Sequence, residues 1–325
     1  MNRLAYLKAA LAMLLLTGAA QGVAQEFPTA GKPIRVVVPF PPGGQADTLG
    51  RAVSMRMGEA LGVPVVMDFK PGASTAIGAQ DVQRAAPDGH TLLFTNPLTH
   101  AQNPHLRAKI PYDPKQFTPI FHYVISGNLL TVHPSVPANN VRELVAYAKA
   151  NPGKLSFASI SPGSSSHLLG ELLMQKTGIS MVHIPYKGAA DANRDLWSGQ
   201  VQMLFDGLGS AVPGIKAGRV RPLALAAKQR SSALPDVPTF EEAGVAGVDL
   251  EGYIGFFGPA NMPPAIVNRI NAELQKAMQA HAVNELILQS GNVPAGGPAS
   301  NFAKLVADQT EAWGALIRSI GLKLE

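Results

Sequence analysis

The sequence contains no cysteine. This absence excludes disulfide bonds, thiolate metal sites and a cysteine-linked lipid anchor. It says little about the compartment, because a chain of 325 residues buries enough apolar surface to fold without cross-links. The fold must therefore be held together by noncovalent packing.

Aromatic residues and runs of basic residues are also scarce. Phe, Tyr and Trp make up 6% of the chain, and the formal net charge is +5. A nucleic-acid groove clusters Lys and Arg on one face and adds aromatic side chains for stacking, so this class has little support. The mild positive charge fits either attraction of a small anionic ligand or solubility alone.

A long apolar run occurs only at the N-terminus. Arg3 and Lys8 supply positive charge, residues 9–20 are almost wholly apolar, and small residues follow up to Ala24. This pattern predicts an export signal over residues 1–24, with cleavage after Ala24. An uncleaved tether is the alternative, but the run is shorter than the roughly 20 residues that span a bilayer. We expect a soluble mature chain outside the cytoplasm.

Complete motifs for hydrolysis, zinc catalysis or nucleotide binding are missing. Residues 163–167 (GSSSH) lack the second glycine of a serine hydrolase elbow. The eight histidines are scattered without a His-Glu-x-x-His arrangement, and residues 207–210 lack the third glycine of a dinucleotide turn. The sequence therefore predicts a protein that is not an enzyme, with no catalytic residues, no cofactor and no metal.

His167 and Glu171 lie one helical turn apart. With no third ligand nearby, a simple pairing fits better than a cation site. We interpret Ser164 or Ser165 as the cap of the helix that follows, with the remaining hydroxyls facing a ligand. We interpret His167 as a histidine on the helix surface.

Short apolar strands alternate with amphipathic helices along most of the chain. Predicted strands cover residues 34–40, 63–67, 91–95, 129–132, 155–158, 181–184, 201–205, 223–226 and 253–257, and predicted helices cover 49–61, 141–150, 165–177, 189–197, 264–280 and 301–320. This βα repetition predicts parallel sheets covered by helices. About 300 mature residues exceed what one core usually holds, so two lobes are expected.

Two strand-to-helix joints are candidate ligand sites. Residues 40–46 (FPPGGQA) leave free N–H groups at a helix start, and their glycines let a ligand approach the backbone closely. Such helix ends bind carboxylates and phosphates without Arg or Lys. The alternative is a plain tight connection in which Asp47 complements the helix dipole. Residues 159–165 repeat the arrangement after another strand, and Asp206 and residues 95–100 also follow strands.

Several segments resemble the extracytoplasmic solute receptors of the tripartite tricarboxylate transporter family, often called Bug receptors. They are IRVVVPFPPGGQAD, PLTHAQNPHL, IPYDPKQFTPI, LLTVHPSVPANNVRELVAYAKANPGKLSFAS, PGSSSHLLGELL, HIPYKGAADANRDLWSGQVQMLFD, SSALPDVPTFEEAG and FFGPANMPPAIVNRINAEL. The similarity runs in order over nearly the whole mature chain. Its specific pieces include residues 186–188 (YKG) and 234–239 (LPDVPT).

The resemblance implies a two-lobed α/β fold of the periplasmic-binding-protein type (Venus flytrap, type II), in which each lobe is a mostly parallel sheet flanked by helices. Residues 25–125 and 253–325 would form one lobe and residues 126–252 the other, with the ligand cleft between them. The implied function is periplasmic capture of a small organic carboxylate for delivery to integral-membrane permease subunits, by a monomer that binds no nucleic acid. Presentation of the ligand to a membrane sensor kinase is the alternative, and a hydrolase on the same scaffold is a third hypothesis.

Carried over by position, the resemblance implies a ligand site with contributions from both lobes. The expected ligand-binding residues are Phe40, Gly43, Gly44, Gln45, Ala46, Thr95, Asn96, Ser159, Gly163, Ser164, Ser165 and Asp206. We expect the N–H groups of residues 43–46 to hold a carboxylate. The chain departs from the family pattern at residues 70–78, where a second glycine pair is common, so Ser74 and Thr75 either reach the cleft or stiffen a turn.

Overall fold

The computed structural model describes residues 27–324. The expected signal peptide and its cleavage point therefore lie outside the described residues. Within that range no helix is long and apolar enough to cross a membrane.

Strands and helices alternate over most of the chain. The strands are β1 (Ile34–Val38), β2 (Val65–Phe69), β3 (Thr91–Thr95), β4 (Phe117–Ser126), β5 (Asn128–Val132), β6 (Ser156–Ser159), β7 (Val182–Pro185), β8 (Met203–Gly207), β9 (Arg221–Ala226), β10 (Gly252–Pro259) and β11 (Val293–Pro294). The helices are α1 (Gln45–Leu61), α2 (Ala76–Gln83), α3 (Asn103–Leu106), α4 (Val141–Ala150), α5 (Ser165–Thr177), α6 (Ala189–Trp197), α7 (Leu208–Lys216), α8 (Pro264–Gln279), α9 (His281–Gln289) and α10 (Ala299–Ile320). A π-helical segment, Leu98–Gln102, precedes α3.

The strands form two sheets. The first has the order β11-β4-β10-β3-β1-β2 and the second β7-β6-β8-β5-β9. Strands β1, β2 and β3 run parallel to one another, as do β6, β7 and β8. The pairs that involve β4, β5, β9, β10 or β11 are antiparallel.

The two-lobed α/β fold is confirmed, but the sheets are mixed rather than mostly parallel. Strands β4 and β5 lie in different sheets although one residue, Gly127, separates them. The chain returns to the first sheet between β9 and β10. We call β4, β5 and β10 the crossing strands, because they carry the chain between the sheets. No βα crossover joins them to their neighbours in a sheet, so they pair antiparallel with those neighbours.

Each sheet has its own apolar core. Val36 and Phe94 are fully buried in the first, whereas Phe157 and Phe205 are fully buried in the second. Helix α10 belongs to both lobes, because Phe302 near its start packs with first-lobe residues. Residues Trp313, Leu316 and Ile317 near its end pack in the second core.

Local capping explains where several helices begin and end. The Asn140 side chain accepts a hydrogen bond from the Glu143 N–H (2.9 Å) at the start of α4. Helix α5 ends at Gly178, whose left-handed backbone (φ +71°) suits glycine. Both helices have the predicted bounds, whereas α2, α7 and α9 were not predicted.

Candidate ligand-binding site

A cavity of about 110 Å³ lies between the two sheets, at the carboxyl ends of β1, β3, β6, β7 and β8. It has room for about four water molecules at the volume that each takes up in the liquid. It is lined by Phe40, Pro41, Gly44, Gln45, Ala46, Thr95, Asn96, Pro97, Ser126, Asn128, Ile160, Ser161, Ser164, Ser165, Gly188, Ala189, Asp206, Gly207, Ser210, Gly252, Tyr253 and Ile254. Both lobes therefore contribute to one site.

The start of α1 forms one wall of the cavity. Gly44 has an extended backbone (φ −93°), and a Cβ placed there would meet no atom within 4 Å. The Gly43 N–H donates to the Asp47 carboxylate (2.8 Å), so this N–H is occupied. Within the described residues no acceptor pairs with the N–H groups of Gly44, Gln45 and Ala46. The expected N–H cradle therefore spans residues 44–46 and not 43–46.

The start of α5 forms the facing wall. The Ser164 hydroxyl donates to the Ser161 carbonyl (2.6 Å) and accepts from the Ser166 hydroxyl (2.9 Å). Neither Ser164 nor Ser165 is seen to cap the helix through its side chain, so that prediction was wrong. The Ser164 hydroxyl instead shapes the turn before the helix, because serine readily bonds nearby backbone groups. The Ser165 hydroxyl accepts from the Gln102 side-chain amide (2.9 Å).

Two further helices begin at the cavity. Gly188 precedes α6 and Gly207 precedes α7, and both glycines line the cavity with Ala189 and Ser210. Four helix N-termini, those of α1, α5, α6 and α7, thus point their partial positive charge at one space. Among the described residues that line the cavity none is Lys, Arg or His. The positive potential in the site therefore comes from the backbone.

Asp206 contributes a carboxyl group to this lining. Its Oδ2 accepts from the Asn193 amide (2.6 Å) and its Oδ1 from the Gly207 N–H (2.8 Å). Burial raises the pKa of the Asp206 carboxyl, and hydrogen bonds from Ser210, Asn193 and Gly207 oppose that effect. Asp206 is held in place as a hydrogen-bond acceptor beside the start of α7.

Thr95 and Asn96 follow β3 and reach the cavity from the first lobe. The Thr95 hydroxyl pairs with that of Thr99 (2.7 Å), and Asn96 Oδ1 accepts from the Leu98 N–H (3.0 Å). These bonds fix the turn from β3 into the π-helical segment. Their side-chain orientation is therefore set before any ligand arrives.

Nine of the twelve predicted ligand-binding residues line the cavity: Phe40, Gly44, Gln45, Ala46, Thr95, Asn96, Ser164, Ser165 and Asp206. Gly43, Ser159 and Gly163 do not. Gly43 is turned toward Asp47, Ser159 is fully buried and paired with His183 Nε2 (2.7 Å), and Gly163 packs against Leu106. These three residues shape the turns that carry their neighbours to the cavity.

The sequence-based assignment missed residues that reach the cavity from outside the predicted ligand loops. They include Ser126, Asn128 and Gly252 on the crossing strands, together with Gly188 and Ser210. Gly188 belongs to the specific YKG segment, which could have identified it. Residues on the crossing strands carried no such signal.

His167 lies buried and not on the helix surface, which corrects the sequence-based interpretation. It is 4% exposed, and its ring stacks on that of His183 with centroids 3.7 Å apart. Its Nε2 lies 3.4 Å from Glu171 Oε1, so the expected pairing is present. No group of three potential metal ligands occurs in the part of the chain that the structure describes.

Ser74 and Thr75 lie outside the cavity lining, in a loop with left-handed backbone at three consecutive residues. The Ser74 hydroxyl lies 3.2 Å from that of Ser161 in the other lobe. Thr75 is buried and accepts from the Thr99 hydroxyl (3.0 Å). The loop thus joins the first lobe to the turn before α5.

Known proteins share this architecture. Residues 49–322 match the family described as tripartite tricarboxylate transporter family receptor. The solved structure of Rpa4515 from R. palustris with adipate is 31% identical, has a TM-score of 0.88 and covers 92% of this chain and 99% of its own. The periplasmic binding protein BugD is 31% identical, with a TM-score of 0.85 and coverage of 90% and 99%.

MatC from Rhodopseudomonas palustris, solved with bound malate, is 30% identical, with a TM-score of 0.83 and coverage of 87% of this chain and 98% of its own. BugD is thus a periplasmic binding protein, and the other two neighbours were solved with a carboxylate. The family assignment rests on the two lobes, on the cavity between them and on similarity along almost the full described length. The chain belongs to the tripartite tricarboxylate transporter receptor family and is a solute-binding receptor of the Bug type.

Proposed function

We propose that this protein captures a small organic carboxylate in the cavity and delivers it to a tripartite tricarboxylate-type permease in the membrane. The observation that carries the proposal is the convergence of four helix N-termini on a space lined without basic side chains. Relatives solved with adipate and malate support a carboxylate ligand. Free N–H groups at helix starts bind such anions directly.

The chemistry of the cavity defines the expected ligand. One carboxylate group would accept from the N–H groups of residues 44–46, while the starts of α5, α6 and α7 face its other end. Phe40, Pro97 and Ile254 provide apolar contact for the carbon chain between them. Asp206 would order a water molecule or accept a hydrogen bond from a donor on the ligand. Because the anchors are mainly backbone groups, affinity depends on lobe closure as well as on side-chain identity.

Closure is the proposed mechanism of capture. We propose that residues 25–125 with most of 253–325 move as one lobe and 126–252 as the other, about the crossing segments near Gly127 and between β9 and β10. The end of α10 would follow the second lobe, with which it packs. A ligand that contacts both lobes shifts the balance toward the closed form by its differential affinity. The permease would recognise that closed form.

Export completes the proposal. The export-signal pattern of residues 1–24 would direct the chain to the periplasm, and a mature protein that begins at Gln25 is expected. Intact-mass measurement of protein from the periplasmic fraction tests this. A mass that retains residues 1–24 would contradict cleavage.

A Gly44→Val substitution tests the carboxylate cradle. The extended backbone at Gly44 accepts a side chain without strain, and the added methyl groups would occupy cavity space in front of the N–H groups. Because hydrogen bonds to a charged group contribute about 1.5–3 kcal/mol each, losing two should weaken binding about a hundredfold or more. Calorimetry with adipate, malate and other organic acids, chosen by thermal-shift screening, measures the loss.

Ser300→Val is the matched control, because it places a β-branched residue in the first turn of α10, outside the cavity. The control should keep wild-type affinity, and both variants should keep the wild-type fold by circular dichroism. Equal affinity of Gly44→Val and wild type would contradict the cradle. Loss of uptake in a deletion strain would support delivery to a permease, whereas loss of ligand-dependent transcription alone would support a sensor kinase.

A further inference from the structure

A stacked histidine pair lies directly behind the turn that lines the cavity. We define the cavity loop as residues 160–164, of which Ile160, Ser161 and Ser164 face the cavity. The rings of His167 and His183 stack behind it, with an interplanar angle of 11°. Phe157 stacks on His183 with centroids 4.9 Å apart, and its ring lies 6.3 Å from that of His167. Neither histidine lines the cavity, so a direct ligand contact does not account for the pair.

His167 holds the cavity loop through a hydrogen bond that requires an unprotonated nitrogen. The Gly163 N–H donates to His167 Nδ1 (3.0 Å). Nδ1 must therefore present a lone pair, which places the proton of the neutral ring on Nε2, facing Glu171 Oε1 at 3.4 Å. Protonation of Nδ1 would set two donors against each other and break this bond.

His183 holds the same loop through Ser159. The Ser159 hydroxyl donates to the Ser161 carbonyl (3.2 Å), so it accepts from His183 Nε2 (2.7 Å). The Ser161 carbonyl also accepts from the Ser164 hydroxyl. A continuous hydrogen-bond chain thus runs from the imidazole of His183 to both ends of the cavity loop.

We propose that His167 and His183 are positioning residues that keep the cavity loop in its binding conformation while His167 Nδ1 is unprotonated, so that acid releases the loop and weakens ligand binding. The inference rests on the proposed ligand function for its binding consequence. Its structural consequence, release of the loop, does not depend on which ligand is bound.

The surroundings of the pair make charging it unfavourable. A charge on one ring would lie about 3.7 Å from the other ring, and His167 is buried while His183 is half-buried. Burial, together with His167, lowers the pKa of His183 to about 4, and Glu171 opposes this effect. Glu171 is the charged side chain that faces the pair, and one carboxylate balances only one of two imidazolium charges. We therefore expect the loop to lose order as pH falls through about 4.

The first test measures the loop without any ligand. Hydrogen exchange of a peptide that covers residues 158–167, corrected for the intrinsic pH dependence of exchange, should show protection at pH 7 and loss of protection at pH 3.5. The nitrogen shifts of ¹⁵N-labelled histidine should show His167 at pH 7 as a neutral ring protonated on Nε2. Unchanged protection between the two pH values, or an Nδ1-protonated His167, would overturn the proposal.

Three variants separate positioning from general destabilisation. His167→Leu removes the acceptor for Gly163 and should weaken binding of adipate about tenfold or more at pH 7. His167→Asn keeps an acceptor at the Nδ1 position without a titrating ring, so it should restore affinity and make loop protection insensitive to acid. His122→Gln is the matched control, because burial also lowers the pKa of His122 to about 4 but that ring stacks on Phe302 in the first lobe.

The control should lose loop protection in acid as the wild type does. The carboxyl groups of adipate also become protonated in acid. Affinities are therefore compared as ratios between variant and wild type at each pH. If His167→Asn stays as acid-sensitive as wild type, the histidine pair is not the cause. If the loop responds as expected but neither adipate nor malate binds, the proposed function fails for these acids while the positioning role stands.

Discussion

Asp206 is a buried carboxylic acid whose environment gives stability a definite pH dependence. Burial raises its native pKa above the ordinary value of 3.8. The native state therefore holds this proton more tightly than the unfolded state, so the stabilising contribution is fully present below about pH 3.8 and is lost as pH rises through the native pKa. Asp206→Asn has no such titration. The stability of wild type relative to the variant should therefore fall as pH rises above 3.8.

Urea unfolding of both proteins at several pH values from 4 to 8 measures this difference. The comparison cancels the opposite contributions of Asp81 and Asp88. Although burial opposes the effect, bonds to Arg35 and Lys70 lower the pKa of Asp81, and a bond to Lys32 lowers the pKa of Asp88. A stability gap that stays constant or widens with pH would contradict the assignment. The Asp206→Asn substitution should also cost about 1–3 kcal/mol at low pH if the new amide group meets the Asn193 donor.

The positions of single residues were predicted where backbone geometry decides them. Gly44 and Asp206 follow strands in a βα pattern, so their place at the sheet edge follows from the sequence. His167 was misassigned because a histidine between serines and leucines fits either face of a helix. It stacks on His183 of β7, which is distant in sequence, so local periodicity does not reveal this partner.

The turn before α5 is the element whose packing we expect to be least tolerant. Gly163 has φ +78°, and a Cβ there would overlap Leu106 Cδ1 and lie 2.9 Å from Leu324 Cδ1. Gly163→Ala adds this overlap to the backbone strain of a left-handed residue, which is about 1 kcal/mol. We expect the free energy of unfolding to fall by about 2–4 kcal/mol. Urea unfolding measures it.

Gly153→Ala is the matched control, because Gly153 has φ +73° but a Cβ there would meet nothing within 4 Å. The control isolates the backbone strain, so its free energy of unfolding should fall by only about 1 kcal/mol. Equal losses in the two variants would show that Leu106 and Leu324 move aside. Ligand affinity should fall in Gly163→Ala and not in the control, because only the former disturbs the cavity loop.

Elements with strong local signals were predicted from the sequence, and elements with conflicting signals were not. Helix α4 has an asparagine cap and α5 a glycine end, and both match their predicted bounds. Helix α7 contains Gly209, Pro213 and Gly214, residues that argue against a helix. Its existence depends on tertiary packing in a core that includes Leu208 and Ala211.

At the scale of the whole molecule, the sequence indicated two lobes with a cleft between them but not the strand order that shapes the cleft. The convergence of α6 and α7 on the same space as α1 depends on strand order, in which β6 lies between β7 and β8. Strand order and the antiparallel crossing strands are long-range properties. For that reason the cavity contributions of Ser126, Asn128 and Gly252 were missed, although they complete the site.

Closure itself can be tested at Gly188, where the lobes approach across the cavity. Its backbone is extended (φ 172°), so any residue can adopt it, yet a Cβ there would lie 3.2–3.7 Å from Pro41 in the first lobe. Gly188→Leu should hold the lobes apart and weaken ligand binding about tenfold or more, since the ligand must now offset the cost of overlap in the closed form. Ligand-free stability should change little, because the open form leaves room for the side chain.

Small-angle scattering with saturating adipate or malate distinguishes this cause from direct contact with the ligand. The wild type should contract on ligand addition, whereas Gly188→Leu should keep the larger radius of gyration. Ala190→Leu is the control, because it adds the same side chain at an exposed position in the first turn of α6 outside the cavity lining. If Gly188→Leu contracts like the wild type but still binds weakly, the leucine acts inside the cavity and the lobes close without hindrance. Contraction in the control and not in the variant would tie affinity to the approach of α6 to Pro41, so that capture depends on the closed form and not on either lobe alone.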